Sequence, residues 1–565
     1  MIDDDMMAQD AANAMEQHNA PRTPPRRGQE TPLAGPAVTP PAAWDMWDRQ
    51  PGTPPAMFDV AHEPRGSPKR SIGESMGDEN VSHDDARTEG RGVDAIGLDV
   101  ADWALKDDLV LRHENRMIEI KKLIDMGVFV PVLKAKRDFA APLFNHTWVD
   151  KPEKSRIACC DYNDGLEQDG TFSPTPSCTT VRVLESKALL SNYGILRADI
   201  CCAFPHAKEK EKVYMRPAKE WCEEIVDEDG TSGYEYVWLL VMSLYGRRTA
   251  GANWREHFEM VMKKFSPTLE RDLRDPCLFH DRRLDLDLVH HVDDLAMTGP
   301  DEVLEEAIAF FAKHLWLKRG PIEKEGSCSA YLRCKKVRTA NEIITIPSER
   351  LTDRIVQLME VENCAKVSTP GDKTAFKAFS DELLDEKKKK IFMQVVGTAI
   401  HLSQYRGDIM YAVKEAARFM SAPTEMAWAM AKRLAKYLNH TRKYAHRLAL
   451  LEQPTHLDVY SDADWAGCNQ SARSSTGVVV RASGLVFTCL SQTQPGLPAL
   501  SSAESELRAI SKAAQEGIYV NEVMKSTGID LPMRNWTDSS AGRAAARRLG
   551  CGRMRHLDAL SLLTI

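Results

Sequence analysis

Apolar residues fall into distinct regimes along this chain. Residues 1 to about 95 sustain no hydrophobic period and are rich in Pro, Gly, Asp and Ser, as in PRTPPRRGQETPLAGPAVTPP. Such a stretch cannot bury enough apolar surface to offset the entropy of ordering, which predicts a disordered tail over 1–98. Leu109, Met117, Ile120, Leu123 and Ile124 then recur at helical spacing until Gly127. A helix is expected around 179–193 and an apolar strand over 194–200. Leu284, Leu286 and Leu288 alternate with Asp285 and Asp287, the period-2 pattern of a half-buried strand. Helices are expected through about 390–440. The pattern then switches to strands over 457–461, 476–481 and 484–490, followed by a long helix from about 502 to 526.

These patterns predict an α+β chain in four parts: a tail over 1–98, a first folded module over 99–365, a helical connection over 366–454 and an α/β module over 455–565. No repeat of 20–50 residues is visible. No apolar run is long enough to cross a bilayer, and the 13 cysteines show no CxxC spacing, so free thiols in a reducing compartment are expected. The net charge of −8 does not by itself suggest a polyanionic partner. Its distribution leaves room for a local basic groove on a nearly neutral body, but charge alone does not argue for nucleic acid. Residues 1–110 hold 21 acidic and 10 basic residues, which leaves 61 acidic against 64 basic in the remainder.

Two sets of carboxylates carry the candidate chemistry. Asp293 and Asp294 lie between the apolar segments Leu288–Val292 and Leu295–Met297. Neighbours on one regular strand point to opposite faces, so this pair converges only at a hairpin turn. Asp199 sits at the end of a separate strand. Carboxylates from two strands suit nucleotidyl transfer, which uses two divalent ions ~3.5–4 Å apart. In the second set, Asp462 ends a strand, Glu504 and Glu506 open a helix, Asp538 lies where a short strand meets a helix, and Asp558 follows. Ser501-x-x-Glu504 fits a capping box, which assigns Glu504 to closing the helix start and leaves Glu506 as the ligand.

The order of these motifs resembles the reverse transcriptase and ribonuclease H region of copia-type LTR retrotransposon Pol polyproteins, over about residues 147–558. The resemblance is carried by Thr147-Trp148-Val149 with Lys154-Ser155-Arg156, Phe172-Ser173-Pro174, Asp199 with Ala203-Phe204, and Val213-Tyr214-Met215. It continues through Ser243-Leu244-Tyr245-Gly246, Asp275-Pro276-Cys277-Leu278-Phe279 and Val292-Asp293-Asp294. Ser461-Asp462-Ala463-Asp464-Trp465 and Leu500-Ser501-Ser502-Ala503-Glu504 are similar to that family's ribonuclease H segment.

The resemblance implies fingers and palm, a helical connection, and a ribonuclease H-like α/β domain. It implies Asp199, Asp293 and Asp294 as polymerase metal ligands, and Asp462, Glu506, Asp538 and Asp558 as nuclease ligands. Lys154 and Arg156 would face the incoming triphosphate, and Phe204 would gate against a ribose 2′-hydroxyl. The implied cofactor is Mg2+, two ions per site. The implied partners are RNA template, DNA primer, RNA–DNA hybrid and deoxynucleoside triphosphates, with no membrane and an intracellular, particle-associated location. His291 stands where the family has Tyr, Thr249 where it has Gln, and Arg247-Arg248 precede it. The seven residues after Asp558 do not continue the family's terminal helix, so residual chemistry is expected in the polymerase rather than the nuclease. The alternative reading is an inactive relic that binds nucleic acid.

Overall fold

Short polar caps set the helix starts. In the computed structural model, which describes residues 99–548 apart from 163–170, 222, 227–228, 373–380 and 469–470, a side-chain oxygen of Ser177, Asp385, Thr424, Ser501 or Ser539 accepts a backbone N–H of the first turn at five helix starts. The helices are α1 (Asp99–Asp125), α2 (Cys178–Leu190), α3 (Ala250–Phe265), α4 (Asp301–Phe311), α5 (Glu349–Leu358), α6 (Glu386–Ser403), α7 (Met410–Ala417), α8 (Glu425–His440), α9 (Ser502–Ser526) and α10 (Ser540–Ala546). The architecture is α+β, with two large sheets and a helical cluster, α5 to α8, that falls in sequence between the third and fourth strands of the second sheet. The expected tail over 1–98 and Asp558 lie outside the described residues.

The first large sheet is antiparallel, with six strands in the order Glu270–Arg271, Leu278–Asp281, Leu286–His291, Asp294–Gly299, Gly194–Ile200 and Leu317–Glu323. Alternation along Gly194–Ile200 sends Leu196, Ala198 and Ile200 into a core with Trp254 and Phe258 of α3 and Leu304 and Phe311 of α4. Ile195, on the opposite face, meets Val181, Leu184 and Ala188 of α2. The strand expected around 284–288 is shifted: Leu284 and Asp285 belong to the preceding turn, where Asp285 has φ 49°, and the strand is Leu286–His291. It is also not half-polar. Asp287 is fully buried and pairs with Arg282.

The second sheet has eight strands and crosses the boundaries expected at 366 and 455. Cys328–Tyr331, Cys334–Arg338, Glu342–Ile346 and His446–Ala449 continue through hydrogen bonds into Gly484–Thr493, Ser475–Ala482, Leu457–Asp464 and Met533–Thr537. The last pair is parallel. α9 lies across this sheet at close range: a Cβ on Gly517 would come 2.6 Å from Val459 Cγ2. Helices α5 to α8 pack around their own core, including Phe392, Leu402, Val413 and Leu438.

The two sheets share one core. Val181, Leu184, Ile195, Val289 and Ala296 from the first part pack in the same cluster as Val459, Phe487, Val520 and Met524 from the last. Polar contacts follow the same seam: Ser177 Oγ to Tyr519 Oη is 3.2 Å, Thr179 Oγ1 to Thr488 Oγ1 is 2.8 Å, and Arg182 donates to the Phe487 carbonyl at 2.7 Å. α2 is therefore a joint element, roofing the first sheet and flooring the second.

Candidate active sites

The Asp199 site is built by strand register. Asp294 is directly opposite Asp199 across the antiparallel pair, and His291 is opposite Asp294. That leaves Val292 and Asp293 as the two-residue turn of a hairpin, the geometry an adjacent Asp pair needs to converge. Val292 takes φ 56°, an uncommon left-handed conformation for a β-branched residue. Two bonds hold the turn: Trp254 Nε1 donates to the Val292 carbonyl at 2.9 Å, and Ile200 N–H donates to the Asp293 carbonyl at 2.7 Å. Burial, then the charges of Asp293 and Asp199, raise the pKa of Asp294 above the usual carboxylate range. Asp199 is exposed, and Lys318 lies opposite it on the other neighbouring strand, a cation the sequence pattern did not single out.

Below Asp199, Arg197 is buried on the same face, bonded to Glu185 at 2.9 Å and to Glu323, while Lys336 reaches Glu185 at 2.7 Å. Removing one member of such a network would leave an uncompensated buried charge.

Lys154 and Arg156 share one face of the hairpin strand Lys154–Cys159, Lys154 exposed and Arg156 half-buried. The Arg156 guanidinium lies 5.1 Å from the Tyr245 ring centroid, and Tyr245 meets Phe204 edge-on at 5.7 Å. Tyr245 thus links two residues picked from separate motifs. Its position depends on Gly246, with φ 81°, where a Cβ would fall 2.1 Å from the Cys159 carbonyl. The departures at 247–249 are structural. Arg247 is buried and bonded to Asp161 at 2.5 Å, Glu209 at 3.3 Å and Glu211 at 2.6 Å, and it also donates to Thr249 Oγ1 at 3.3 Å.

The second site gathers Asp462, Glu506 and Asp538, whose ligand oxygens all lie within 4.8 Å of one another. Among the described residues this is the one such trio of His, Cys, Asp or Glu; Asp199, Asp293 and Asp294 are neighbours that do not gather as tightly. Asp462 arrives on Leu457–Asp464, Glu506 on the second turn of α9, and Asp538 just past Met533–Thr537, the strand parallel to the first. Glu506 is buried, one of its oxygens lacks a hydrogen-bond partner, and burial with the charges of Asp462 and Asp538 pushes its pKa up to about 7. Desolvation and Asp538 raise Asp462 as well. Three carboxylates this close repel one another, and an all-oxygen donor set of this kind fits a hard divalent cation.

Glu504 is occupied elsewhere. Ser501 Oγ accepts the Glu504 N–H at 3.2 Å, while the Glu504 carboxylate accepts from Leu500 N–H at 2.9 Å and pairs with Arg508 at 2.6 Å. The reciprocal bond goes one residue earlier than a standard capping box would place it.

Residues 145–373 match the reverse transcriptase (RNA-dependent DNA polymerase) family. The chain is similar to the retrovirus-related Pol polyprotein from transposon TNT 1-94 of Nicotiana tabacum, at 27% identity over 70% of this chain and 29% of that protein. It is also similar to the retrovirus-related Pol polyprotein from transposon RE2 of Arabidopsis thaliana, at 26% identity over 72% of this chain and 27% of that one. The chain therefore spans less than a third of the length of these relatives. A solved foamy viral protease–reverse transcriptase in complex with double-stranded DNA matches with a TM-score of 0.44 at 11% identity, covering 80% of this chain and 67% of that one.

Proposed function

Since residues 145–373 belong to the reverse transcriptase family and the chain groups with copia-type retrotransposon Pol polyproteins, we propose that it is an RNA-directed DNA polymerase with an attached ribonuclease H. The observation that carries the polymerase reading is the register of Asp199 against Asp294 with Asp293 in the turn between strands. In this reading Asp199, Asp293 and Asp294 hold Mg2+ near the primer end. Lys154 and Arg156 orient the triphosphate of the incoming deoxynucleotide, and Phe204 limits the space beside its sugar. Asp462, Glu506 and Asp538 hold Mg2+ against the RNA strand of an RNA–DNA hybrid, and Asp558 is the remaining proposed ligand. At both sites the bound ions would supply charge neutralisation and an activated oxygen nucleophile. The partners proposed are RNA template, DNA primer and the hybrid they form, and the proposed setting is an intracellular retroelement particle. Among the described residues, no helix is long and apolar enough to cross a membrane.

Primer extension and hybrid cleavage measured on one purified preparation test this reading. Asp293→Asn is expected to abolish extension and spare cleavage; Glu506→Gln is expected to do the reverse. A folded wild-type chain inactive in both assays, yet still binding hybrid, would replace the enzyme reading with that of an inactive relic.

A further inference from the structure

α1 was expected to bury one apolar stripe, and it does so only in part. Ile120 and Leu123 are buried against Val128, Ile157 and Trp238. Met117 and Ile124, from the same periodic set, remain exposed, together with Val110, Leu111 and Ile118. The exposed apolar residues are ordered. Val110, Met117 and Ile124 are seven apart, and Leu111 and Ile118 form a second row with the same spacing. Glu114 and Lys121, both exposed and also seven apart, lie between these rows. A seven-residue apolar repeat is the seam that a second helix covers.

We infer that this face of α1 is a self-association surface, covered by α1 of a second copy of this chain in antiparallel orientation. A two-fold axis beside Met117 and Ile118 sets Leu111 opposite Ile124 of the second copy, Glu114 opposite its Lys121, and Met117 opposite its Ile118. Across positions 111 to 124 the exposed apolar residues meet apolar ones and Glu114 meets Lys121, twice over, as an isologous contact requires, with Val110 falling opposite Asp125 at the rim. The parallel alternative stacks Glu114 on Glu114 and Lys121 on Lys121, which is repulsive. Residues 110–125 make a ridge of roughly 24 Å at 1.5 Å per residue. One helix pair of that length falls short of a standard interface, so the contact belongs to the weak class, with a dissociation constant on the order of micromolar.

Sedimentation velocity of the full chain over roughly 1–200 µM tests the surface directly. Wild type is expected to shift reversibly from monomer to dimer across that range. Ile118→Glu should leave only monomer. Glu114→Lys and Lys121→Glu should each weaken dimerisation about tenfold, since two attractive pairs become two repulsive ones. The double variant Glu114→Lys/Lys121→Glu should return to within about threefold of wild type, a rescue that a parallel or unrelated contact does not produce. Thermal melts followed by circular dichroism should stay unchanged for all variants, because every substituted residue is exposed. A chain that is monomeric throughout, single charge variants that match wild type, a double variant no better than the singles, or association that survives Ile118→Glu would each overturn the proposal.

Discussion

His290→Leu is a sharp test of how the core beneath the Asp293 turn is balanced. His290 lies on the strand Leu286–His291, 4% exposed, with its ring 4.4 Å from Phe258 and 5.8 Å from Phe279. Neither ring nitrogen has a hydrogen-bond partner. Burial, reinforced by the nearby charges of His291 and Arg271, lowers its pKa from 6.5 to about 3. The sign follows from linkage. Above pH 6.5 the imidazole is neutral in both states and costs no protonation energy. As pH falls from 6.5 through the folded value of about 3, the unfolded chain takes up a proton that the folded one refuses, and stability is lost. The slope is about 1.4 kcal/mol per pH unit, so about 2 kcal/mol is lost between pH 6.5 and 5. At neutral pH, Leu also removes an unsatisfied buried N–H worth about 1–3 kcal/mol, offset in part by imperfect repacking. Urea denaturation of both proteins at several pH values isolates the effect, because other buried histidines cancel in the difference. The difference between variant and wild type should widen by about 2 kcal/mol from pH 6.5 to 5. Parallel profiles would refute the reasoning and mean that His290 finds a proton acceptor or water in the folded state.

Further outcomes follow from the same geometry. Glu504→Ala should lower stability by about 0.5–2 kcal/mol through the helix start while sparing cation binding, whereas Glu506→Gln should keep the fold and weaken Mn2+ binding measured by calorimetry. The opposite pattern would exchange their roles. Phe487→Ala, in the shared core, should destabilise by about 3–5 kcal/mol and lower a single cooperative melting transition followed by circular dichroism and calorimetry; separate transitions would show that the two parts fold independently. Val292 packs against the core of the first sheet while holding a left-handed conformation, so Val292→Asn should lose no more than about 1 kcal/mol in chemical denaturation, relief of strain offsetting part of the lost burial; a loss of about 2–3 kcal/mol would show that the strain is negligible.

Sharing of the core bears on how the modules depend on one another. Sequence reading expects polymerase chemistry to need nothing beyond the connection. Yet α2, which roofs the Asp199 sheet, rests its other side on Phe487, Val520 and Met524. Truncation before Leu457, at the end of the connection, would expose that side, and apolar surface returned to water costs about 25 cal/mol per Å². The two carboxylate sites are thereby tied through stability even though their residues are far apart in sequence.

Local pattern was enough for much of this. Strand Gly194–Ile200, helix α9 and the strands from Leu457 onward are legible because their periods are set by neighbours along the chain, with capping residues such as Ser501 and Ser177 marking the helix starts. The assignment of Glu504 to the cap and Glu506 to the acidic trio was likewise readable, since a cap needs only residues three apart. Other features depended on contacts that no local window contains. Register decides that Asp199 faces Asp294 and that Lys318 stands beside Asp199, and tertiary packing of a loop decides that Tyr245 joins Phe204 to Arg156. The alternation at Asp285 and Asp287 misled because a buried carboxylate paired to Arg282 looks, in sequence, like a solvated one. The boundary placed at 455 rests on a change of local pattern, but strand pairing is non-local, and His446–Ala449 pairs with Glu342–Ile346 on one side and Gly484–Leu485 on the other rather than with the helices before it. Likewise the split of α1 into a buried and an exposed apolar face is invisible in the sequence, because periodicity marks which residues share a face and only packing determines whether something covers it.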